Sequence, residues 1–121
     1  MMTIDDLEIY KLSIILGEDI WGIVVKWDYF AKDTIGKQII RSVDSVAANI
    51  SEGYGRFHFK EEKRFLYYAR GSLHETKTFI IITHSRKLIS DQRFSELNQQ
   101  IDILGKKLNS FINSINRRLD Q

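Results

Sequence analysis

Proline and cysteine are both absent from this chain of 121 residues. Average usage would supply roughly six prolines at this length. Proline breaks helix interiors and punctuates loops, so its absence predicts a chain that is nearly all helix with short connections. Lack of cysteine removes disulfides, thiolate chemistry and Cys-based zinc sites together, and fits a reducing cytoplasm. Long apolar runs are missing as well. Leu12–Gly17 and Ile20–Val25 are separated by Glu18 and Asp19, well short of the ~20 residues a spanning helix needs. No membrane partner is expected. The opening stretch MMTIDDLEIY has no basic region ahead of an apolar run, so no signal peptide is expected either.

Net charge is only +2, too small to imply a nucleic-acid partner alone. Its distribution says more. Residues 1–30 hold two basic and six acidic side chains, residues 31–88 eleven and six, and residues 89–121 five and four. The middle of the chain is the basic part. That pattern is either an electrostatic footprint or a solvated helix face.

What is present is helical periodicity. Phe94, Leu97, Ile101, Leu104, Leu108, Phe111 and Ile115 step by 3 and 4, one apolar seam along a long last helix capped at Ser90 or Asp91. The first segment is expected from about Asp6 to Phe30, with Asp5 as N-cap and Ile9, Leu12, Leu16, Ile20, Ile23, Trp27 and Phe30 as its seam. The second is expected from Asp33 to Tyr54, with Ile35, Ile39, Val43, Val46, Ile50 and Gly53 facing inward. The third is expected from Lys60 to Lys87 along Phe65, Ala69, Leu73, Thr76, Ile80 and Thr83. Breaks are expected at Ala31–Asp33, Gly53–His58 and Leu88–Asp91. Short connections imply antiparallel neighbours. The fold class predicted is therefore all-α, an antiparallel up-down four-helix bundle formed by residues 1–121 as a single domain. Helices one and three carry more apolar residues than one core stripe uses, among them Ile14, Ile15, Trp21, Val24, Val25 and the run Phe79–Ile82. The surplus predicts a homo-oligomer.

Catalytic and metal chemistry find little support. A di-iron bundle needs Glu-x-x-His pairs, but Gly55, Gly71 and Ile81 precede His58, His74 and His84 by three. Gly53-Tyr54-Gly55-Arg56 lacks the strand, the third glycine and the Lys-Ser/Thr ending of a phosphate loop. It reads as a helix C-terminus in which Gly53 or Gly55 supplies the left-handed residue and Arg56 sits by the last carbonyls. No cofactor and no enzymatic activity are expected.

One constellation is more informative. Arg41, Ser45, Asn49, Glu52 and Arg56 step by 4, 4, 3 and 4 along helix two, while Gly71, Ser72 and Glu75 follow one another on helix three. In a hairpin turning around residues 55–59, contacting positions sum to about 116. Arg41 then pairs with Glu75, and Ser45 meets Ser72. Gly71 and Ser72 would let the backbones approach closely.

These residues carry a family resemblance. The segment RSVDSVAANISEGYGR (Arg41 to Arg56), followed by RFLYYARGSLHET (Arg64 to Thr76), resembles the 23S-rRNA-intervening-sequence proteins. Their pattern is roughly R-x-x-x-S-I-x-x-N-I-A-E-G-x-G-R, then F-L-x-x-A-x-G-S-x-x-E. Arg41, Ser45, Asn49, Ile50, Glu52, Gly53, Gly55, Arg56, Phe65, Leu66, Ala69, Gly71, Ser72 and Glu75 match. Val46 stands for the usual Ile and Ser51 for the usual Ala. The family's Pro-containing first junction appears as Tyr29-Phe30-Ala31-Lys32-Asp33, without proline.

The resemblance implies an up-down bundle assembled into a homopentameric ring. Some members are encoded within intervening sequences of bacterial large-subunit rRNA genes, and relatives serve as accessory subunits of diversity-generating retroelements. It implies no catalytic residue, and the matched stripe reads as a structural signature of the helix two–three hairpin. Two functions follow as expectations. One is a non-enzymatic, RNA-associated oligomer with Lys37, Arg56, Lys60, Lys63 and Arg64 as basic contacts. The other is a scaffold or accessory subunit that binds a protein partner such as a reverse transcriptase.

Overall fold

The computed structural model describes residue 4 and residues 7–119. Among the described residues the chain is all-α, with four long helices and no strand. We label these α1 (Glu8–Val24), α2 (Lys37–Tyr54), α3 (Phe59–Ser85) and α4 (Asp91–Leu119). A single α-turn, Tyr29–Ala31, and a π-helical stretch, Lys32–Gly36, lead directly into α2.

The first junction departs from expectation. Helix α1 ends at Val24 rather than near Phe30. Asp28 starts a new turn, because its carboxylate accepts the Ala31 amide at 2.9 Å, satisfying a donor that a helix start leaves free. An aspartate reads as helix interior or as cap with equal ease. Trp27 consequently leaves the α1 seam, and its indole donates to the Leu88 carbonyl at 3.0 Å, tying the first turn to the third. Phe30 is exposed. At the other end α1 begins after an extended Leu7, and the expected cap Asp5 and first residue Asp6 lie outside the described residues.

The other two turns fall where expected, but their chemistry differs. Gly55 follows α2 in a right-handed conformation, φ −76°, and no described glycine has positive φ. The left-handed residue is Lys87, φ 62°. Leu88 donates its amide to the Thr83 carbonyl at 2.9 Å and Lys87 to His84 at 3.0 Å. Those two bonds are the paired 6→1 and 5→2 pattern that closes a helix C-terminus. Ser90 opens α4 by accepting the Arg93 amide at 3.1 Å.

One cluster of buried side chains draws on all four helices. The seam of α2 is buried throughout, Ile35 to Gly53. In α3, Leu66 rather than Phe65 occupies the core, followed by Ala69, Leu73, Thr76, Ile80 and Thr83. Leu97, Leu104 and Leu108 of α4 are fully enclosed. Truncating any of them to Ala would cost about 2–5 kcal/mol.

In three helix pairs the residue numbers of the contacts fall on one helix as they rise on the other. Along α2–α3, Ser42 meets Thr76 and Ser45 meets Ser72, both at 2.9 Å. Along α3–α4, Arg70 meets Asn109 at 3.1 Å and Lys77 meets Asp102 at 3.8 Å. Along α1–α4, Glu8 meets Lys107 at 3.2 Å and Asp19 meets Gln100 at 2.8 Å. The Ser45–Ser72 contact is the expected one. The expected Arg41–Glu75 pair does not form, since both side chains are exposed and no ion pair joins them among the described residues. The positions that meet sum to 117 and 118 here, and that shift brings the smaller Ser42 and Thr76 into contact instead. Gly71 is not the close approach either, because a Cβ added there would meet nothing within 4 Å. Gly53 is: a Cβ there would lie 3.0 Å from the Glu62 carbonyl oxygen and 3.1 Å from the Phe65 Cβ.

Candidate nucleic-acid interface

The α2–α3 junction gathers cations and aromatic rings. Four residues, Gly55 to His58, separate the helices, and Phe57 at the tip is 94% exposed. Its ring meets that of His58 edge-on, 5.4 Å between centroids. Arg56 reaches back to Glu52 at 3.1 Å, while its guanidinium lies 4.6 Å from the centre of the Phe65 ring. Arg64 approaches the same ring at 5.5 Å. The end of α4 joins them, with Arg118 at 5.5 Å over Phe59.

Such cation–ring contacts hold long side chains in place at modest energy, about 0.5–1 kcal/mol at exposed sites. Lys60, Lys63, Arg64, Arg117 and Arg118 form no ion pair among the described residues. Two acidic residues, Glu61 and Glu62, stand in the first turn of α3 among these cations. Burial pushes the Glu62 carboxyl above its ordinary range, with Arg118 pulling it partly back. Glu61 is half-buried.

Residues 5–110 match the family described as 23S rRNA-intervening sequence protein. The chain belongs to that family. It is also similar to the crystal structure of a protein with unknown function from the S23 ribosomal protein family of Bacteroides thetaiotaomicron, at 21% identity, covering 86% of this chain and 97% of that one, with a TM-score of 0.77. At that identity the likeness establishes the fold alone. No curated protein matches the chain.

In this 23S rRNA-intervening sequence protein, the five basic residues singled out from the sequence do not form one site. Arg56, Lys60, Lys63 and Arg64 share the α2–α3 junction. Lys37 stands at the opposite end of α2, about 28 Å away at the rise of an α-helix. There it pairs with Asp33 at 2.6 Å, a hydrogen bond that raises the lysine pKa. Among the motif residues, Asn49 donates to both the carbonyl and the hydroxyl of Ser45, at 2.8 and 3.0 Å, and Ser72 donates to that same hydroxyl. These three make one hydrogen-bonded group inside the hairpin. Arg41, Gly71 and Glu75 lie apart from it on the surface.

Sequence reasoning missed the continuation of the basic face. Lys60, Lys63, Tyr67, Arg70, His74 and Lys77 step by 3, 4, 3, 4 and 3, a second stripe beside the core seam of α3. The signal was present in the spacing, but a stripe of cations attracts less notice than one of leucines. Lys63 lies 6.0 Å and Arg70 4.7 Å from the Tyr67 ring centre.

Proposed function

We propose that this chain is a non-enzymatic, cytoplasmic, antiparallel up-down four-helix bundle that assembles into a closed homo-oligomer and associates with RNA through the α2–α3 junction. The observation that carries the RNA reading is the interleaving of Arg56, Lys60, Lys63 and Arg64 with the exposed ring of Phe57. Cations neutralise phosphates, and rings offer faces on which bases stack. The descending contacts between neighbouring helices support the up-down arrangement. In a ring each junction is repeated by symmetry, so modest contacts add through avidity. Five copies is the number the family resemblance implies.

The test is a titration of rRNA fragments at low and near-physiological salt, comparing wild type with Lys60→Ala/Lys63→Ala/Arg64→Ala. All three side chains project from the surface or its edge, so the fold should persist. The wild type should bind with affinity that falls steeply with salt, and the triple variant should bind far more weakly. Equal binding by both proteins refutes the site.

A second reading rests on the apolar outer face of α1, where Ile14, Trp21 and Val25 are 41%, 54% and 44% exposed. A protein-binding scaffold would use that face for a partner such as a reverse transcriptase. Absence of RNA binding even at low salt would put this reading first.

A further inference from the structure

The cationic stripe of α3 does not end at the junction. It runs on into the groove between α3 and α4, a depression of about 220 Å³ bordered by Arg70, His74 and Lys77 on one side and Asp102, Lys106 and Asn109 on the other. Gly105 faces Leu73 across its floor, with room for a Cβ at an ordinary 3.7 Å from the nearest leucine carbon. Asp102 is the one carboxylate in that lining, and its contact with Lys77 is a loose 3.8 Å. From Lys60 to Lys77 the track is about 26 Å long at the helical rise. That length suits the short end of single-strand site sizes, which begin at about four nucleotides.

Midway along the track sits a flat, fixed surface. The Arg70 guanidinium lies 4.7 Å from the Tyr67 ring centre and donates to the Asn109 side-chain oxygen at 3.1 Å. Held on two sides, it loses little further freedom when a ligand stacks on it. Guanidinium planes and aromatic rings are the two surfaces on which unpaired bases stack. In a duplex the base faces are covered by their neighbours, so a duplex can use the cations of this track but not its stacking surface.

We propose that the α3–α4 groove is a track for single-stranded RNA, in which Lys60, Lys63, Lys77 and Lys106 contact phosphates and one base stacks at Arg70–Tyr67. This rests on the RNA reading above and narrows its ligand class to unpaired strands. An acidic protein segment would engage the same cations but would leave the Arg70 plane unused.

The experiment measures binding of a labelled oligouridylate single strand, a blunt duplex of equal length and a polyglutamate peptide to the full chain across a salt series. The single strand should bind tightest. Tyr67→Ala and Arg70→Lys, which leave the phosphate-binding lysines in place, should each weaken it about fivefold or more while leaving duplex binding unchanged. Lys77→Ala/Lys106→Ala should flatten the log–log salt slope for the single strand by about 1.4, at ~0.7 per phosphate contact. Thermal melts of each variant check that the fold persists. Duplex binding as tight as single-strand binding, with Tyr67→Ala and Arg70→Lys both silent, overturns the track yet leaves the junction reading standing if Lys60→Ala/Lys63→Ala/Arg64→Ala still abolishes binding. Polyglutamate binding as tightly as the single strand overturns it in favour of a protein ligand. Failure of every RNA to bind at low salt overturns both readings.

Discussion

The hydroxyls of Ser42 on α2 and Thr76 on α3 meet at 2.9 Å in the fully buried interior of the helix pair. Each also lies within bonding distance of a carbonyl on its own helix, Ile39 at 3.0 Å for Ser42 and Ser72 at 2.8 Å for Thr76. Two protons therefore serve three possible bonds. Removing one hydroxyl leaves the other a carbonyl acceptor, so no buried donor is stranded. Thr76→Val should cost about 1 kcal/mol or less, and Ser42→Ala/Thr76→Val should cost less than the sum of the single changes. Urea midpoints of the four proteins in the cycle decide it. A loss of several kcal/mol from Thr76→Val would mean that the contact between the hydroxyls carries more than this competition allows.

Two glycines in the same hairpin should respond with opposite sign. Alanine at Gly53 would place its Cβ 3.0 Å from a backbone oxygen of Glu62, and backbone cannot yield as a side chain does. Overpacking of this kind costs about 1–3 kcal/mol, more than the ~1 kcal/mol that alanine gains over glycine in a helix. Gly71 faces open space in the middle of α3. Gly71→Ala should stabilise by about 0.4–1 kcal/mol. Thermal midpoints of the two variants should lie on either side of wild type.

The sequence revealed its core better than its turns. Ile39, Val43, Val46 and Ile50 recur at helical spacing, and all four are buried, because periodicity reports which face meets the rest of the chain. Asp28 and Lys87 were illegible for a different reason. An aspartate four residues past Val24 has no periodic signature until its carboxylate is seen on the Ala31 amide, and a lysine in the left-handed region defies the preference that would have pointed to glycine. Arg41 and Glu75 show the limit of register arithmetic. A shift of one or two in the sum of contacting positions decides which residues fill the interface, and the larger charged pair is left in solvent. At the junction the cations of residues 56–64 were legible as a cluster. The role of Tyr67 and Arg70 needed the neighbouring α4, since Asn109 holds the guanidinium across the groove.

Acidity should act through Asp44. The side chain is exposed overall, but its carboxylate is set against Gly17 of α1, and partial desolvation there, then the nearby Glu18, raises it above the ordinary aspartate value of 3.8. A raised carboxyl binds protons more readily in the folded chain than in the unfolded one, so this group makes stability fall as pH rises through the interval between the unfolded and folded values. Above that interval the folded state carries a disfavoured charge. Asp44→Asn removes it and should raise the thermal midpoint at neutral pH. The gain should shrink on acidification and vanish below the ordinary aspartate range, where Asp44 is protonated in both states. A variant no more stable than wild type at pH 7 would refute the assignment.

The outer face of α1 should hold copies of the chain together. Ile14, Trp21 and Val25 are spaced by 7 and 4, which places them on one side of the helix, and each is roughly half exposed in the single chain. Neither Trp21 nor Val25 belongs to the buried core cluster. Trp21→Glu/Val25→Glu should therefore leave the helical circular dichroism spectrum unchanged while breaking the assembly. A tryptophan at the centre of an interface is commonly worth about 2 kcal/mol or more when removed, roughly a 30-fold change in dissociation constant, and an unpaired buried carboxylate adds to that. Light scattering across a concentration series provides the readout. Wild type should show a multiple of the 14.2 kDa chain mass, and the double variant should fall to that mass at concentrations where wild type stays assembled. A dimeric or tetrameric wild type would correct only the stoichiometry implied by the family resemblance. A wild type that is monomeric at micromolar concentration would show that this apolar face serves some other partner, because two glutamates cannot disperse an assembly that never formed.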